Sequence, residues 1–273
     1  MPRRPPNRRE PSSTGFTILE IAVVLVIITV MFTLVSVPLS TQVQLRRIED
    51  SRRQLETAKA AILGFAVANG RLPCPAQINS GGQESFCAAA TGTCSGSETT
   101  TVQAHGNCSN FYDGLLPAVT LGLSPIDSAG FSRDAWDTMS NRIRYAVYDG
   151  TVGTATKALT AQNGMQTATI PSLGTANYIY VCKSGTGVTA TQCAAAGTAN
   201  DLSTRVAFLL FSLGQNASSA TSGTGTDEAE NLDGDRVFVS HDPTVGTNEF
   251  DDQLSWVPIT ILINRMVDAQ RLP

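Results

Sequence analysis

Three sets of residues in this 273-residue chain carry side chains able to do chemistry: one acid at the margin of an apolar run, a late acidic region, and six cysteines. Glu20 stands just inside the start of a stretch that continues from Ile21 to Leu39 without a charge. A carboxylate at the centre of a bilayer costs about 2.5 kcal/mol or more, so an acid in such a place has a specific job. The late acids are Asp227, Glu228, Glu230, Asp233 and Asp235, then Asp251 and Asp252. Hard cations such as calcium take about six to eight oxygens from carboxylates and loop carbonyls, which a glycine-containing acidic loop can supply. The spacing is not that of an EF-hand, and local geometry singles out Asp233 and Asp235 as ligands; the alternative is a solvated acidic loop.

Cys74, Cys87, Cys94, Cys108, Cys182 and Cys193 all follow the apolar run, and none forms a C-x-x-C pair. Zinc knuckles and thiol oxidoreductases are therefore disfavoured, and disulfides in an oxidising compartment are the better reading. Six cysteines allow fifteen pairings. Of these, Cys182 with Cys193 is favoured as the flanks of a single loop.

Catalysis finds no constellation. His105 and His241 are the two histidines, neither lies in H-E-x-x-H, and no G-x-S-x-G elbow occurs. Gly223-Thr224-Gly225 lacks the rest of a nucleotide-binding fingerprint. Trp136 and Trp256 read as packing residues rather than ligand platforms. The formal net charge of -4 offers no bulk attraction to nucleic acid. The expectation is a non-enzymatic protein that binds no nucleic acid.

The elements that must position these residues begin with the apolar run. As a helix, Ile21 to Leu39 spans roughly 28 Å, close to the hydrocarbon thickness of a bilayer. Arg3, Arg4, Arg8 and Arg9 precede it, which places the N-terminus in the cytoplasm and the bulk of the chain outside. The run is longer than that of a secretory signal peptide and is not followed by Ala-x-Ala. The spacing predicts continuation of the helix through Asn69, with Leu45, Ile48, Leu55, Ala58, Ile62 and Phe65 forming one stripe. Asn69-Gly70 and Pro73 then stop it. From Phe16 to Asn69 such a helix would measure roughly 80 Å, which suits a shaft element.

The Gly-, Ser-, Thr- and Cys-rich stretch from Arg71 to about Gly130 reads as loops stapled by disulfides. Arg142–Tyr148, Tyr178–Cys182, Val206–Leu213 and Arg236–Ser240 have the length and composition of strands. Ser218–Asp235 reads as an acidic loop between two of them. Ile259, Leu262, Ile263, Met266 and Val267 fall at helical spacing after Pro258. The fold expected is α+β: a long N-terminal helix, membrane-spanning then amphipathic, packed on an antiparallel β-sheet head with disulfide-stapled loops.

Gly15-Phe16-Thr17-Ile18-Leu19-Glu20 resembles the G-F-T-x-x-E motif of type IV prepilins and type II secretion pseudopilins. The resemblance implies a prepilin peptidase that cuts after Gly15 and methylates Phe16. It makes Glu20 the fifth mature residue, whose carboxylate pairs with the Phe16 amine of a neighbouring subunit. Pro38 stands where that family often kinks or melts the helix. Shorter segments also look like uncharacterised pilin-like and pseudopilin-like proteins: Gly70–Pro75, Gly114–Pro117, Asp134–Asp137 with Arg144-Tyr145, and Phe250–Trp256, with Trp136-Asp137 in place of the usual Trp-Gly. Major pseudopilins bind calcium in a late acidic loop, and Asp251 and Asp252 are the positions that would match.

The implied organisation is a leader over residues 1–15, a helix over 16–70 with its transmembrane part near 18–39, and a periplasmic head over 71–273. The implied location is a single-pass inner-membrane protein that later enters a pilus or pseudopilus. The implied partners are prepilin peptidase, other pilin or pseudopilin subunits, an inner-membrane assembly platform and, before assembly, membrane lipid. The size of the head tilts the reading toward a minor subunit. An adhesion or ligand-binding module displayed on a pilin stalk is the alternative function.

Overall fold

The computed structural model describes residues 15, 17–94, 96–136, 141–193, 200–217, 223, 225–246 and 248–272, with backbone alone for 33–41. Residues 1–14 of the expected leader over 1–15, the expected methylation site Phe16 and Asp137 lie outside the described residues, as does the side chain of Pro38. The chain forms two compact units, the first ending at Arg46 and the second running from Arg47. Helix α1 covers Ile18–Asn69.

In the first unit, Thr17 and Glu20 form a reciprocal cap. The Glu20 amide donates to Thr17 Oγ1 at 3.3 Å and the Thr17 amide to Glu20 Oε2 at 3.4 Å. This T-x-x-E capping box satisfies two of the amides that a helix start leaves without partners. Thr29 turns its hydroxyl back on the carbonyls of Leu25 and Val26, so a polar residue fits within the apolar run.

The expected membrane span is corrected here. Among the described residues no helix is long and apolar enough to cross a membrane. The single-pass placement, with cytoplasmic N-terminus and periplasmic head, is overturned on that ground.

In the second unit α1 buries Leu55, Ala58, Ile62 and Ala66, and also Ser51, whose Oγ accepts the Ala135 amide at 3.1 Å. The expected stripe differs at both ends. Leu45, in the first unit, is exposed, and Ala66 takes the core position given to Phe65, because Ala66 completes the four-residue step from Ile62. Gly70 ends the helix with φ of 72°, its amide bonded to the Ala66 carbonyl, the left-handed closure for which glycine costs least.

Short strands β1 (Phe86–Cys87) and β2 (Glu98–Thr99) pair with each other. The main sheet contains β3 (Gly114–Leu115), β4 (Arg144–Val147), β5 (Ile179–Cys182), β6 (Asp201–Ser212), β7 (Val237–Val239) and β8 (Gln253–Pro258). Its order is β3-β4-β6-β5-β7, with β8 also on β6. Helices α2 (Gly164–Ala168), α3 (Ile170–Thr175) and α4 (Thr226–Glu230) are short. α5 (Ile259–Asp268) buries Ile259, Leu262, Ile263 and Met266, while Val267 is exposed.

The expected fold class is corrected as well: the sheet is mixed and curled into a half-barrel, not antiparallel throughout. β7 runs parallel to β5. The reason lies in β6, where Val206 pairs with both Ile179 and Pro258, and Phe208–Phe211 pair with both β4 and β8. With both edges of β6 taken, the chain returning through α4 adds at the free side of β5. Register shifts in the β5–β6 and β6–β8 ladders supply bulges, which raise local twist and bend a sheet. The core lies between this sheet, α5 and the buried stripe of α1, with Tyr145, Phe208, Phe211 and Phe238 among its largest side chains.

Candidate functional site

The chain leaves β6 through 213–217, forms α4, and returns through β7 and the segment before β8. These connections bring the late acids together in two groups. Glu228, Asp251 and Asp252 form one, and Glu230, Asp233 and Asp235 the other. The four expected ligands Asp233, Asp235, Asp251 and Asp252 are thus divided, each pair completed by a glutamate from α4.

The first group is a structural hub. Glu228 is buried, and its two oxygens accept from Asn216 Nδ2, the Asp251 amide and the Gly223 amide at 3.0–3.2 Å. Asp251 Oδ2 accepts the amides of Gln215 at 2.7 Å and Asn216 at 3.3 Å. Gly214 makes this approach possible, since a Cβ there would strike the Asp251 carboxylate. Asp252 accepts from Asn231 Nδ2 at 2.8 Å, and Asn231 also exchanges bonds with the backbone of Val239. Three carboxylates therefore tie four segments of backbone. Burial pushes the Asp252 carboxyl up to about 8, with the charges of Glu228 and Asp251 adding to it. Burial likewise lifts Asp251 to about 6.

The sign of the resulting pH dependence is fixed. An unfolded aspartate ionises near 3.9, whereas Asp252 in the folded chain holds its proton to about 8. The folded state binds the extra proton between those values, so stability is fully present below about pH 4 and declines as pH rises toward 8. Each tenfold change in proton affinity is worth about 1.4 kcal/mol, and a domain of this size moves by about 2–4 °C per kcal/mol. Thermal unfolding should show a lower Tm at pH 8 than at pH 5, and D252N should flatten that decline, raising Tm by about 3 °C or more at pH 5 and by clearly more at pH 8. An unaltered pH profile in D252N would refute this account of Asp252.

The second group is looser. Asp233 is exposed, while Glu230 and Asp235 are half-buried. Asp233 Oδ1 accepts the Asp235 amide and Asp235 Oδ1 the Val237 amide, which sets the turn through Gly234. Among the described residues, Glu230 Oε1 is buried without a hydrogen-bond partner. Burial, followed by the charges of Asp233, Asp235 and Asp227, raises the Glu230 carboxyl to about 7. Burial is also the main cause lifting Asp235 to about 6. An orphaned oxygen among crowded carboxylates fits a hard cation; the first group also holds one, Asp251 Oδ1, but its Glu228 is already saturated with N–H donors.

No family model, curated protein or solved structure matches this chain.

Gly15 is exposed, with nothing near its Cα that a side chain would meet. Glu20 is exposed, and the partner it meets is Thr17. The cysteines pair as Cys74–Cys108, Cys87–Cys94 and Cys182–Cys193. His105 accepts the Asn107 amide through Nδ1. His241 stacks on Phe250 at 4.0 Å and bonds Asp227 through Nε2 at 2.9 Å, so each histidine organises a loop. Sequence reasoning missed the roles of Glu228 and Glu230. Their two-residue spacing within a short helix turns them to different sides, a signal that becomes readable only once α4 is recognised.

Proposed function

We propose that the chain is a structural filament subunit, a minor component of a type IV pilus or a type II secretion pseudopilus, processed between Gly15 and Phe16 and assembled through its N-terminal helix. The observation that carries this reading is the start of α1. Ile18, Leu19, Ile21, Val23, Val24, Leu25, Val26, Ile27 and Ile28 are all large apolar residues, and all are 42–91% exposed. Apolar surface on that scale marks an interaction site. Other subunits of the filament are the partners that would cover it, with prepilin peptidase and an assembly platform acting earlier.

Glu20 fits the same picture. In the single chain its carboxylate caps the helix and stays in water. Packed among neighbouring helices it would need a cation, which the Phe16 amine of an adjacent subunit supplies. Mass spectrometry of the N-terminus, on protein from its native cells, tests the reading: a chain beginning at N-methylated Phe16 is expected, and an intact leader in assembled material overturns it.

A calcium ion at Glu230, Asp233 and Asp235 belongs to this proposal as a stabiliser of the head. At a hundredfold excess over Kd a ligand of the folded state adds about 2.7 kcal/mol, or about 5 °C or more in Tm for a domain of this size. Calcium should raise Tm by that amount over a chelator control in the parent and not in D233N/D235N. Identical curves with and without calcium would remove the ion.

A further inference from the structure

We propose that the head carries a binding platform for a tetrahedral oxyanion, phosphate or sulfate, formed by Tyr148, Tyr180, Arg205 and Arg236. It does not rest on the filament reading. Tyr180 lies in β5, between β6 and β7. On one side the ladder slips between Ile179↔Val206 and Val181↔Ser203, so Thr204 and Arg205 share the place opposite Tyr180. On the other side Tyr180 pairs with Val237, and the preceding Arg236 sets its guanidinium 5.7 Å from the Tyr180 ring centroid.

The two arginines serve one neighbourhood. The charge of Arg205 reaches the Tyr178 phenol and that of Arg236 the Tyr148 phenol. The rings of Tyr148 and Tyr178 meet edge-on at 4.8 Å. Tyr178 is a framing residue, its hydroxyl donating to the Leu173 carbonyl at 2.8 Å.

What marks the place is a surplus of donors. Among the described residues, Nε and Nη2 of Arg205 and Nε of Arg236 are buried without hydrogen-bond partners. Arg236 Nη2 reaches, among the described residues, only the Thr191 carbonyl, at 3.3 Å. Among the described residues neither guanidinium has a carboxylate within the 4.0 Å of an ion pair. Asp235 feels the charge of Arg236, yet its Oδ1 accepts the Val237 amide. The hydroxyls of Tyr148 and Tyr180, residues 6% and 9% exposed, also make no hydrogen bond among the described residues. Guanidinium nitrogens donate and cannot accept, and a phenol readily donates. Such a set is complementary to an anion with several acceptor oxygens, and the planar fork of arginine suits phosphate and sulfate in particular.

Titration calorimetry on the full chain with inorganic phosphate and with sulfate, at constant ionic strength against chloride, tests the site. Saturable binding is expected, weakened about tenfold or more in R205Q and in R236Q, the loss of one charge-assisted contact. It should be unchanged in R265Q, on α5. Tighter binding of phenyl phosphate than of the free ion would place the oxyanion at the end of a larger molecule, and equal binding would assign the free ion. Absence of binding beyond chloride, or parental affinity in both arginine variants, overturns the proposal. Should an arginine variant fail to fold, Tyr148→Phe and Tyr180→Phe keep the rings and decide the matter: unchanged affinity in both overturns it.

Discussion

Replacing Glu84 with alanine should lower the stability of the head by about 3–5 kcal/mol, the usual cost of leaving one member of a buried ion pair without the other. Side chains of Arg71 and Glu84 are only 6% and 4% exposed. Their contact is a fork: Arg71 Nη1 donates to Glu84 Oε1 at 2.6 Å and Nη2 to Oε2 at 2.9 Å. Glu84 Oε1 also accepts the Cys74 amide at 2.7 Å, and Nη1 of Arg71 donates to the Leu72 carbonyl. The guanidinium is held between the rings of Phe65 and Phe86. Glu84→Ala thus strands a buried cation and an amide together. At about 2–4 °C per kcal/mol, Tm should fall by about 10 °C. The double variant R71M/E84M removes both charges and should recover most of the loss, since apolar replacement of a whole buried pair is often neutral. A Tm for E84A within about 2 °C of the parent would show that the pair lies in water in solution.

The second large effect concerns Cys74–Cys108, which closes 34 residues, whereas Cys87–Cys94 closes 7. Chain entropy alone assigns about 3.8 kcal/mol to the longer loop and about 2.4 kcal/mol to the shorter. Cys74 and Cys108 also pack with Phe86 in a small buried cluster, so their loss opens a cavity as well. C74A/C108A should therefore unfold at clearly lower denaturant than C87A/C94A, with both below the parent. The reverse order would mean that loop length is not what governs these bonds. The longer bond carries Glu84 within its loop, and Glu84 accepts the Cys74 amide, so removing the bond and the ion pair together should cost less than the sum of the separate losses.

Much of the local structure is readable from residue order. Leu55, Ala58 and Ile62 are buried because steps of three and four put them on one side of α1. Thr17 and Glu20 meet because a helix start brings positions three apart together. Apolar runs mark β5, β6 and β7, but the polar residues Asp201–Thr204 that extend β6 carry no such mark. β8 was hidden because Gln253, Ser255 and Trp256 do not alternate in type. Its partial burial comes from pairing on β6 rather than from its own composition.

The candidate sites were less legible. Asp251 and Asp252 adjoin in sequence, yet their partner Glu228 stands more than twenty residues earlier and reaches them only through the turn into α4. Arg205 and Arg236 look like ordinary surface cations until a bulge and a parallel pairing set them on either side of Tyr180.

By itself the sequence determined the caps, the helix stop at Gly70, the apolar stripe on α1, the central strands and the supply of six cysteines, because propensity, periodicity and short-range hydrogen bonds act within a few residues. Tertiary structure alone decided that β7 runs parallel to β5, that Cys74 pairs with Cys108 across 34 residues, and that Glu228 shares a site with Asp251 and Asp252. Those outcomes depend on which edges remain open and which polar groups remain unpaired once distant segments have packed, and no window of the chain contains both partners.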